Sequence, residues 1–126
     1  MTADARVAVL VVDDQLIFRQ AAASLVRSIE QFELVGEAAD GEEAVNLVAD
    51  IHPDFVLMDV RLPGMTGIEA TRAILRDWPA TRILLVSTHE RADLPADLDE
   101  CGAAGFERKQ DLTADLLLRC GGPDAA

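Results

Sequence analysis

The feature that most constrains the fold is a short apolar segment, residues 55–58, that ends in a charged residue, Asp59. Pro53 precedes the segment and a turn with Pro63 and Gly64 follows it. A strand that is apolar on both faces is typical of a parallel sheet covered by helices on both sides. Asp59 would then stand at the carboxyl end of a central strand, where open α/β sheets bind their ligands. Alternatively, Asp59 simply begins the turn, since aspartate is common there.

A second apolar strand, residues 7–12, also runs into acid, at Asp13 and Asp14. If the two strands are neighbours, three carboxylates meet at one edge of the sheet. Like charges ~4 Å apart repel by roughly 4 kcal/mol at an effective dielectric of 20. The cluster is therefore tolerable only if some carboxyls are protonated or a cation lies among them. Carboxylate oxygens with room for water suit Mg²⁺, so the sequence predicts a magnesium site formed by Asp13, Asp14 and Asp59.

Two further strand ends carry polar groups. The apolar run 83–86 ends in Ser87 and Thr88, and the short run 105–108 ends in Lys109. A hydroxyl and an ammonium beside a carboxylate and a metal form a pocket for a phosphoryl group, because the lysine supplies charge and the hydroxyl donates a hydrogen bond. Each of these features alone is weak, but the set together predicts phosphoryl chemistry.

Helical segments separate the predicted strands. Asp40 and Thr66 are each followed by glutamate three residues later, which is typical of a helix N-terminus. A first helix is expected from Gln15 to about Ile29, and the Thr66 helix should run to about Trp78. The first helix would place one apolar stripe in the core: Ile17, Ala21, Leu25 and Ile29. Residues 32–37 alternate well enough to form one more strand, half-buried and nearer an edge. Five strands alternating with five helices predict a doubly wound, flavodoxin-like parallel sheet with strand order 2-1-3-4-5.

The fourth and fifth helices are expected to be short. Proline is tolerated only in the first turn of a helix, so Pro95 should make the fourth helix start near Leu94. Asp111 or Thr113 would cap the fifth helix, and the Gly-Gly-Pro run at 121–123 would end it.

The fifth helix also suggests an interface. Its core stripe would contain Leu112, Leu116 and Cys120, with Leu117 at the flank. Leu118 would then face away from the sheet and contact a second copy of the domain or an attached domain. A single exposed leucine is also common without any partner, and that alternative stays open.

Composition limits the functional classes. The chain has 126 residues, enough for one domain with a core, and half of them are hydrophobic without any run long enough to span a membrane. The N-terminus lacks a signal-peptide pattern, so a cytoplasmic protein is expected. Cys101 and Cys120 lack metal-ligand spacing and are expected to stay reduced. A formal charge of −12 argues against direct binding of nucleic acid by this chain.

Four motifs, VLVVDDQ, VLMDVRLPGMTGIEA, LLVST and GAAGFERK, resemble those of bacterial response-regulator receiver domains, the CheY-like family. The resemblance covers residues from about 6 to 119, which favours a single receiver domain over 1–126 with a C-terminal tail at 120–126. The run from Val60 to Ile74 is most similar to receivers attached to LuxR/NarL-type DNA-binding domains.

The resemblance implies roles for the strand-end residues. Asp59 would accept a phosphoryl group from a sensor histidine kinase, while Asp13 and Asp14 would hold Mg²⁺ together with Asp59. Lys109 would be the phosphate-binding lysine.

Other positions acquire expected roles from the same resemblance. Ser87 would be the switch hydroxyl and Phe106 the switch aromatic residue. Arg61 and His89 would border the phosphoryl group and control the access of water, unless both are solvated loop residues. The family often has proline after the lysine, whereas this chain has Gln110, which leaves the geometry of the following loop open.

The predicted function is a phosphoacceptor switch of a two-component system, with phosphorylation remodelling the face of helix 4, strand 5 and helix 5. Such a protein is not an enzyme beyond self-catalysed phosphotransfer and dephosphorylation. Its expected partners are a sensor histidine kinase and an output domain or downstream protein, with a homodimer as a further option. Two alternatives are an interaction module that never takes phosphate and a magnesium-dependent phosphohydrolase with an aspartate nucleophile. Hydrolases of the haloacid-dehalogenase group carry a second aspartate where this chain has Arg61.

Overall fold

The computed structural model describes residues 6–125 and contains one five-stranded parallel sheet with strand order β2-β1-β3-β4-β5. The strands are β1 (Val7–Val12), β2 (Phe32–Ala38), β3 (Phe55–Asp59), β4 (Arg82–Ser87) and β5 (Gly105–Arg108). The α-helices are α1 (Leu16–Arg27), α2 (Gly41–Ile51), α3 (Gly67–Asp77) and α4 (Ala114–Gly121). The doubly wound fold and its strand order are therefore confirmed.

The central strand β3 is buried along its whole length, between β1 and β4. Val56 and Met58 belong to the core on the α2 and α3 side of the sheet, and Phe55 and Leu57 to the core on the α1 and α4 side. This alternation is the reason why the segment is apolar at every position, since successive side chains enter opposite cores.

The predicted helix starts are confirmed by side-chain hydrogen bonds. The Glu43 N–H donates to Asp40 Oδ1 at 2.8 Å. Thr66 and Glu69 form a reciprocal pair, with the Glu69 N–H donating to Thr66 Oγ1 at 3.1 Å and the Thr66 N–H donating to Glu69 Oε1 at 2.9 Å. At α4, Thr113 is the capping residue, since its Oγ1 accepts a hydrogen bond from the Leu116 N–H at 3.1 Å.

The predicted core stripe of α1 is wrong at its first half. The buried residues of this helix are Ala22, Ala23 and Val26, whereas Ile17 is 84% exposed and Ala21 is also exposed. Four residues rotate a helix by about 40° more than a full turn, so a stripe drawn strictly every fourth residue drifts round the helix. Ile29, which is buried, lies beyond the helix end.

The predicted short fourth helix is also wrong. Two 3₁₀ turns, Arg91–Asp93 and Ala96–Glu100, occupy this segment instead of an α-helix. Leu94 and Pro95 between them are extended, with ψ angles of 165° and 145°. A proline disfavours the helical conformation of the residue before it, and this breaks the segment into two turns.

The core face of α4 differs from the prediction as well. Leu117 is fully buried, and Gly121 packs so closely on the Phe55 ring that a Cβ atom at Gly121 would lie 2.3 Å from it. Leu118 is half-buried and packs against the same core. The close approach at Gly121 turns the Leu117 side of the helix inward. The predicted contact through an outward-facing Leu118 therefore loses its basis.

Within residues 6–125 the structure contains no helix of the length and apolar character that crossing a membrane requires.

Candidate functional site

The carboxyl ends of four strands bring the predicted polar residues together. Asp13 follows β1, Asp59 ends β3, Ser87 ends β4 and Lys109 follows β5. Because β3 lies between β1 and β4, Asp59 is at the centre of this edge of the sheet. Asp13, Asp59 and Ser87 are all buried.

Lys109 supplies positive charge to this group. Its Nζ atom lies 2.6 Å from Asp13 Oδ2 and 3.5 Å from Asp59 Oδ2, and its side chain is only 7% exposed. The ammonium also lies 4.4 Å from the centre of the Phe18 ring. Phe18 was not among the site residues predicted from the sequence, and it lies outside the apolar stripe predicted for the first helix.

The two carboxylate oxygens of Asp13 have different partners. Its Oδ1 accepts a hydrogen bond from the Gln15 N–H at 2.8 Å, and its backbone carbonyl accepts one from Arg19 Nη1 at 2.7 Å. Asp13 Oδ2 is buried and makes no hydrogen bond of ordinary geometry, although Lys109 Nζ is near. This buried oxygen already has the Lys109 ammonium as a cationic partner, so its surroundings favour positive charge.

Asp59 is an unusually basic carboxyl group. Burial raises its pKa from an ordinary 3.8 to about 6, and the neighbouring charge of Asp13 acts in the same direction. The Lys109 ammonium and a hydrogen bond from the Arg61 N–H to Asp59 Oδ1, 3.2 Å long, oppose this rise, and Asp14 adds a smaller upward contribution. The site therefore disfavours a second buried negative charge in the absence of a cation.

The acidic residues fit a magnesium ion. Asp13, Asp14 and Asp59 each offer a carboxylate oxygen, and these atoms lie within 4.8 Å of one another. Asp14 is exposed to solvent, which leaves room for the water ligands that Mg²⁺ usually retains. The oxygen-only donor set matches a hard divalent cation better than a softer metal.

A cleft of about 240 Å³ opens over Asp59. Its walls are formed by Asp14, Gln15, Asp59, Arg61, Ser87, Thr88, His89 and Lys109. Both predicted modulating residues, Arg61 and His89, thus line the cleft that opens over Asp59. The His89 N–H donates to Ser87 Oγ at 3.0 Å, and His89 Nδ1 lies 3.5 Å from the same oxygen.

Phe106 lies on β5, paired in register with Leu85 of β4, and its half-buried ring packs against the core on the α2 and α3 side. The Arg91 guanidinium carbon is 5.8 Å from the ring centre. The chain therefore places a cation from the 3₁₀ segment over this aromatic residue. The backbone after Lys109, including Gln110, forms a 3₁₀ turn, Lys109–Asp111.

The loop after Asp59 is closed by backbone contacts. The Val60 N–H donates to the Val86 carbonyl and the Gly67 N–H donates to the Val60 carbonyl, both at 2.9 Å. Gly64 has a positive φ of 72° and fits the turn interpretation of the sequence. Gly67 has a further role as the place where α3 meets the Asp59 backbone, and only its position directly after the capping residue Thr66 hinted at this.

The sheet order, the carboxylate cluster and the strand-end lysine define a receiver. The chain belongs to the response regulator receiver domain family, whose model matches residues 9–119. Domains of this family are phosphoacceptor switches of two-component systems and bind Mg²⁺ in an acidic pocket. The resemblance seen in the four sequence motifs is confirmed.

Individual relatives support the assignment. The chain is similar to the response regulator GacA of Pseudomonas aeruginosa, with 41% identity over 80% of this chain and 47% of the relative. It is also similar to the transcriptional regulatory protein DegU of Brevibacillus brevis, with 32% identity over 90% of this chain and 48% of the relative. The chain thus spans about half the length of these curated relatives.

Solved structures give the same result. The signal receiver domain of the putative response regulator NarL from Mycobacterium tuberculosis superimposes with a TM-score of 0.82 at 34% identity, over 92% of this chain and 96% of that one. A LuxR-family two-component response regulator from Aurantimonas sp. gives a TM-score of 0.81 at 37% identity, over 89% of this chain and 80% of that one.

Proposed function

We propose that this receiver accepts a phosphoryl group on Asp59 from the phosphohistidine of a sensor histidine kinase. The observation that carries the proposal is the position of Lys109, whose ammonium lies 3.5 Å from Asp59 Oδ2 beside a solvent-open cleft. A buried carboxylate with a fixed cation beside it is arranged to attack phosphorus and to neutralise the transferred oxygens.

The chemical step uses one Asp59 oxygen as the nucleophile. This oxygen donates an electron pair to phosphorus, and the bond from phosphorus to the kinase histidine nitrogen breaks with its electron pair on that nitrogen. The released ring takes up a proton from water. In dephosphorylation a water oxygen attacks phosphorus, the bond to Asp59 breaks with its electron pair returning to the carboxylate, and the water's protons go to solvent and phosphate.

Asp13, Asp14 and Asp59 would hold Mg²⁺, which neutralises negative charge on the phosphoryl oxygens when it is bound. Lys109 neutralises charge from the other side of the cleft. The cluster of three carboxylates supports this assignment, as does the raised pKa of Asp59, because both indicate a site with more negative charge than Lys109 alone neutralises.

Ser87 and Phe106 would change position in response to the negative charge of the phosphoryl group. The Ser87 hydroxyl is close enough to the cleft to turn toward a phosphoryl oxygen, and Phe106 would follow inward on the adjacent strand. Arg61 and His89 would control the access of water to phosphorus from the cleft wall. These movements would remodel the face formed by the 3₁₀ segment, β5 and α4, a local charge event with a wider structural readout.

The output would pass through another domain or protein. The net charge of −12 opposes direct contact with a phosphate backbone, while DegU, one of the relatives, is by name a transcriptional regulatory protein. An attached DNA-binding domain or a downstream partner would therefore read the switch. A homodimer is a further candidate assembly, although the half-buried Leu118 gives it no support. The domain, residues 1–126, would act in the cytoplasm, where free thiols such as those of Cys101 and Cys120 persist. It would catalyse only its own phosphorylation and dephosphorylation.

Acetyl phosphate with and without Mg²⁺, followed by mass mapping of the modified residue, tests the proposal. We expect modification at Asp59 only when Mg²⁺ is present, and none in Asp59→Asn. Asp50→Asn, at an exposed position on α2, is the matched control and should behave as the wild type. Modification at another residue, or none at millimolar Mg²⁺, would favour the alternative of an interaction module that takes no phosphate.

A further inference from the structure

Among the described residues, the Lys109 ammonium makes three contacts. Binding of a metal or a phosphoryl group would disturb some of these contacts but not all of them. Two are with the carboxylates of Asp13 and Asp59, at 2.6 and 3.5 Å, and the third is with the face of the Phe18 ring, at 4.4 Å from the ring centre. The side chain is 7% exposed, so little water replaces a lost contact. An ammonium within ~6 Å of a ring centroid is attracted by the negative face of the ring.

The Phe18 ring is held in a fixed place. It is half-buried and packs against the core on the α1 and α4 side of the sheet. The next residue, Arg19, donates to the Asp13 carbonyl at 2.7 Å and to Glu37 Oε1 at 3.3 Å. The first turn of α1 is therefore tied to the end of β1, which keeps the Phe18 backbone beside the site.

The carboxylate contacts are the ones that function would change. If the proposed function holds, Asp13 would turn an oxygen to the metal and Asp59 would become an acyl phosphate, so Lys109 would exchange its carboxylate contacts for phosphoryl oxygens. The ring carries no group that either a metal or a phosphoryl group can bind, so its contact with Lys109 would persist through this exchange.

We propose that Phe18 is a positioning residue whose ring keeps the Lys109 ammonium at the cleft while Asp13 and Asp59 exchange it for other ligands. The inference rests on the proposed function of the site. It assigns to a residue of the apolar face of α1 a role in phosphoryl binding that acts through the lysine. Leucine at position 18 would fill much of the same space but would offer no π face.

The chain offers a clean spectroscopic reporter of this contact. Lys109 is the single lysine among its 11 basic residues, so isotope-labelled lysine gives one side-chain signal. In the wild type the ε-methylene protons should be shifted upfield by the Phe18 ring current. The upfield shift should disappear in Phe18→Leu and persist in Phe18→Tyr, which keeps the ring. Ile17→Leu, at the exposed neighbouring position, is the matched control and should leave the signal unchanged.

Binding of beryllofluoride at saturating Mg²⁺ gives the functional readout. Phe18→Leu should bind it roughly 3- to 10-fold more weakly than the wild type, as expected for loss of one cation–π contact. Phe18→Tyr should restore the affinity, and the Mg²⁺ affinity measured without beryllofluoride should change far less. A purely structural role would alter both affinities together.

The possible outcomes distinguish a failure of the proposed function from a failure of the role of Phe18. A wild type that binds no beryllofluoride in Mg²⁺ would overturn the proposed function itself. A wild type that binds it, with Phe18→Leu equal in affinity or in lysine signal, would overturn only the role of Phe18. Thermal unfolding of each variant identifies loss of fold, and the wild-type lysine signal keeps the test decisive if the leucine variant unfolds, because ε-methylene protons without an upfield shift would overturn the role of Phe18.

Discussion

Gly67 lies against the backbone carbonyl of Asp59, and a Cβ atom at position 67 would be 2.0 Å from that oxygen. This contact joins the start of α3 to the end of β3, where Asp59 is presented to the cleft. The neighbouring atoms are backbone, so no side-chain rotation can relieve a clash. Asp59 therefore owes its position in part to the missing side chain of Gly67.

We predict that Gly67→Ala destabilises the protein by about 1–3 kcal/mol, the range of overpacking in a tight core, and slows phosphorylation by acetyl phosphate. Gly64→Ala is the comparison variant, since Gly64 has open space around it and only a positive φ of 72° to strain an alanine. Urea unfolding should show both as destabilised, but the phosphorylation rate should fall only for Gly67→Ala. Equal phosphorylation rates in the two variants would contradict the link to Asp59.

Replacing Asp59 by asparagine should stabilise the metal-free protein at neutral pH. The folded-state pKa of about 6 lies above the ordinary value of 3.8, so the folded state binds more protons than the unfolded state between these values. The charged carboxylate thus costs stability above pH 6 and ceases to do so below about pH 4. We expect Asp59→Asn to be more stable by up to about 3 kcal/mol at pH 7.5 in EDTA, with the difference vanishing near pH 4.

The control for this prediction is Mg²⁺, which should raise the stability of the wild type at pH 7.5 and leave Asp59→Asn much less affected. Asp50→Asn should match the wild type at every pH. A gain for Asp59→Asn that is independent of pH would show that the carboxylate charge is not the cause.

Arg61 and His89 are predicted to set the lifetime of the phosphorylated state. Both line the cleft over Asp59, where a side chain can admit or exclude the attacking water. Arg61→Ala and His89→Ala should each change the dephosphorylation half-life severalfold, measured by loss of the phosphorylated mass after removal of acetyl phosphate. Unchanged half-lives in both variants would mean that the two side chains are ordinary solvated loop residues.

The segment between β4 and β5 should open more readily than the strand before it. Only a few backbone hydrogen bonds of 3₁₀ type form there, such as the Leu98 N–H to the Pro95 carbonyl. Two of its acids pair with Arg72 and Arg91 at exposed positions, and exposed pairs contribute little. Amide hydrogen exchange from 91 to 100 should be much faster than from 83 to 86. Similar protection in the two segments would refute this prediction. The buried side chains of Leu94 and Leu98 would then be the contacts that hold the segment closed.

The sequence by itself determined the class of fold and most of the candidate site. Strand β3 is apolar at every position because both of its faces are covered, and that pattern is local and readable. Asp13, Asp59, Ser87 and Lys109 each come at or directly after a strand's end, and parallel strands bring such ends to one edge. The helix starts at Asp40 and Thr66 were readable for the same reason, since a cap lies within one turn of the helix that it begins.

Only the tertiary structure decided which side of each helix meets the sheet and which atoms touch in the site. The buried face of α1 contains Ala22 and Val26 rather than Ile17, and α4 turns Leu117 inward because Gly121 approaches Phe55. The contact between the Phe18 ring and Lys109 was likewise decided only by the tertiary structure, since these residues are far apart in the chain. Such contacts depend on how separate elements pack, and a pattern that repeats along one helix carries no information about the side chain that another element presents to it.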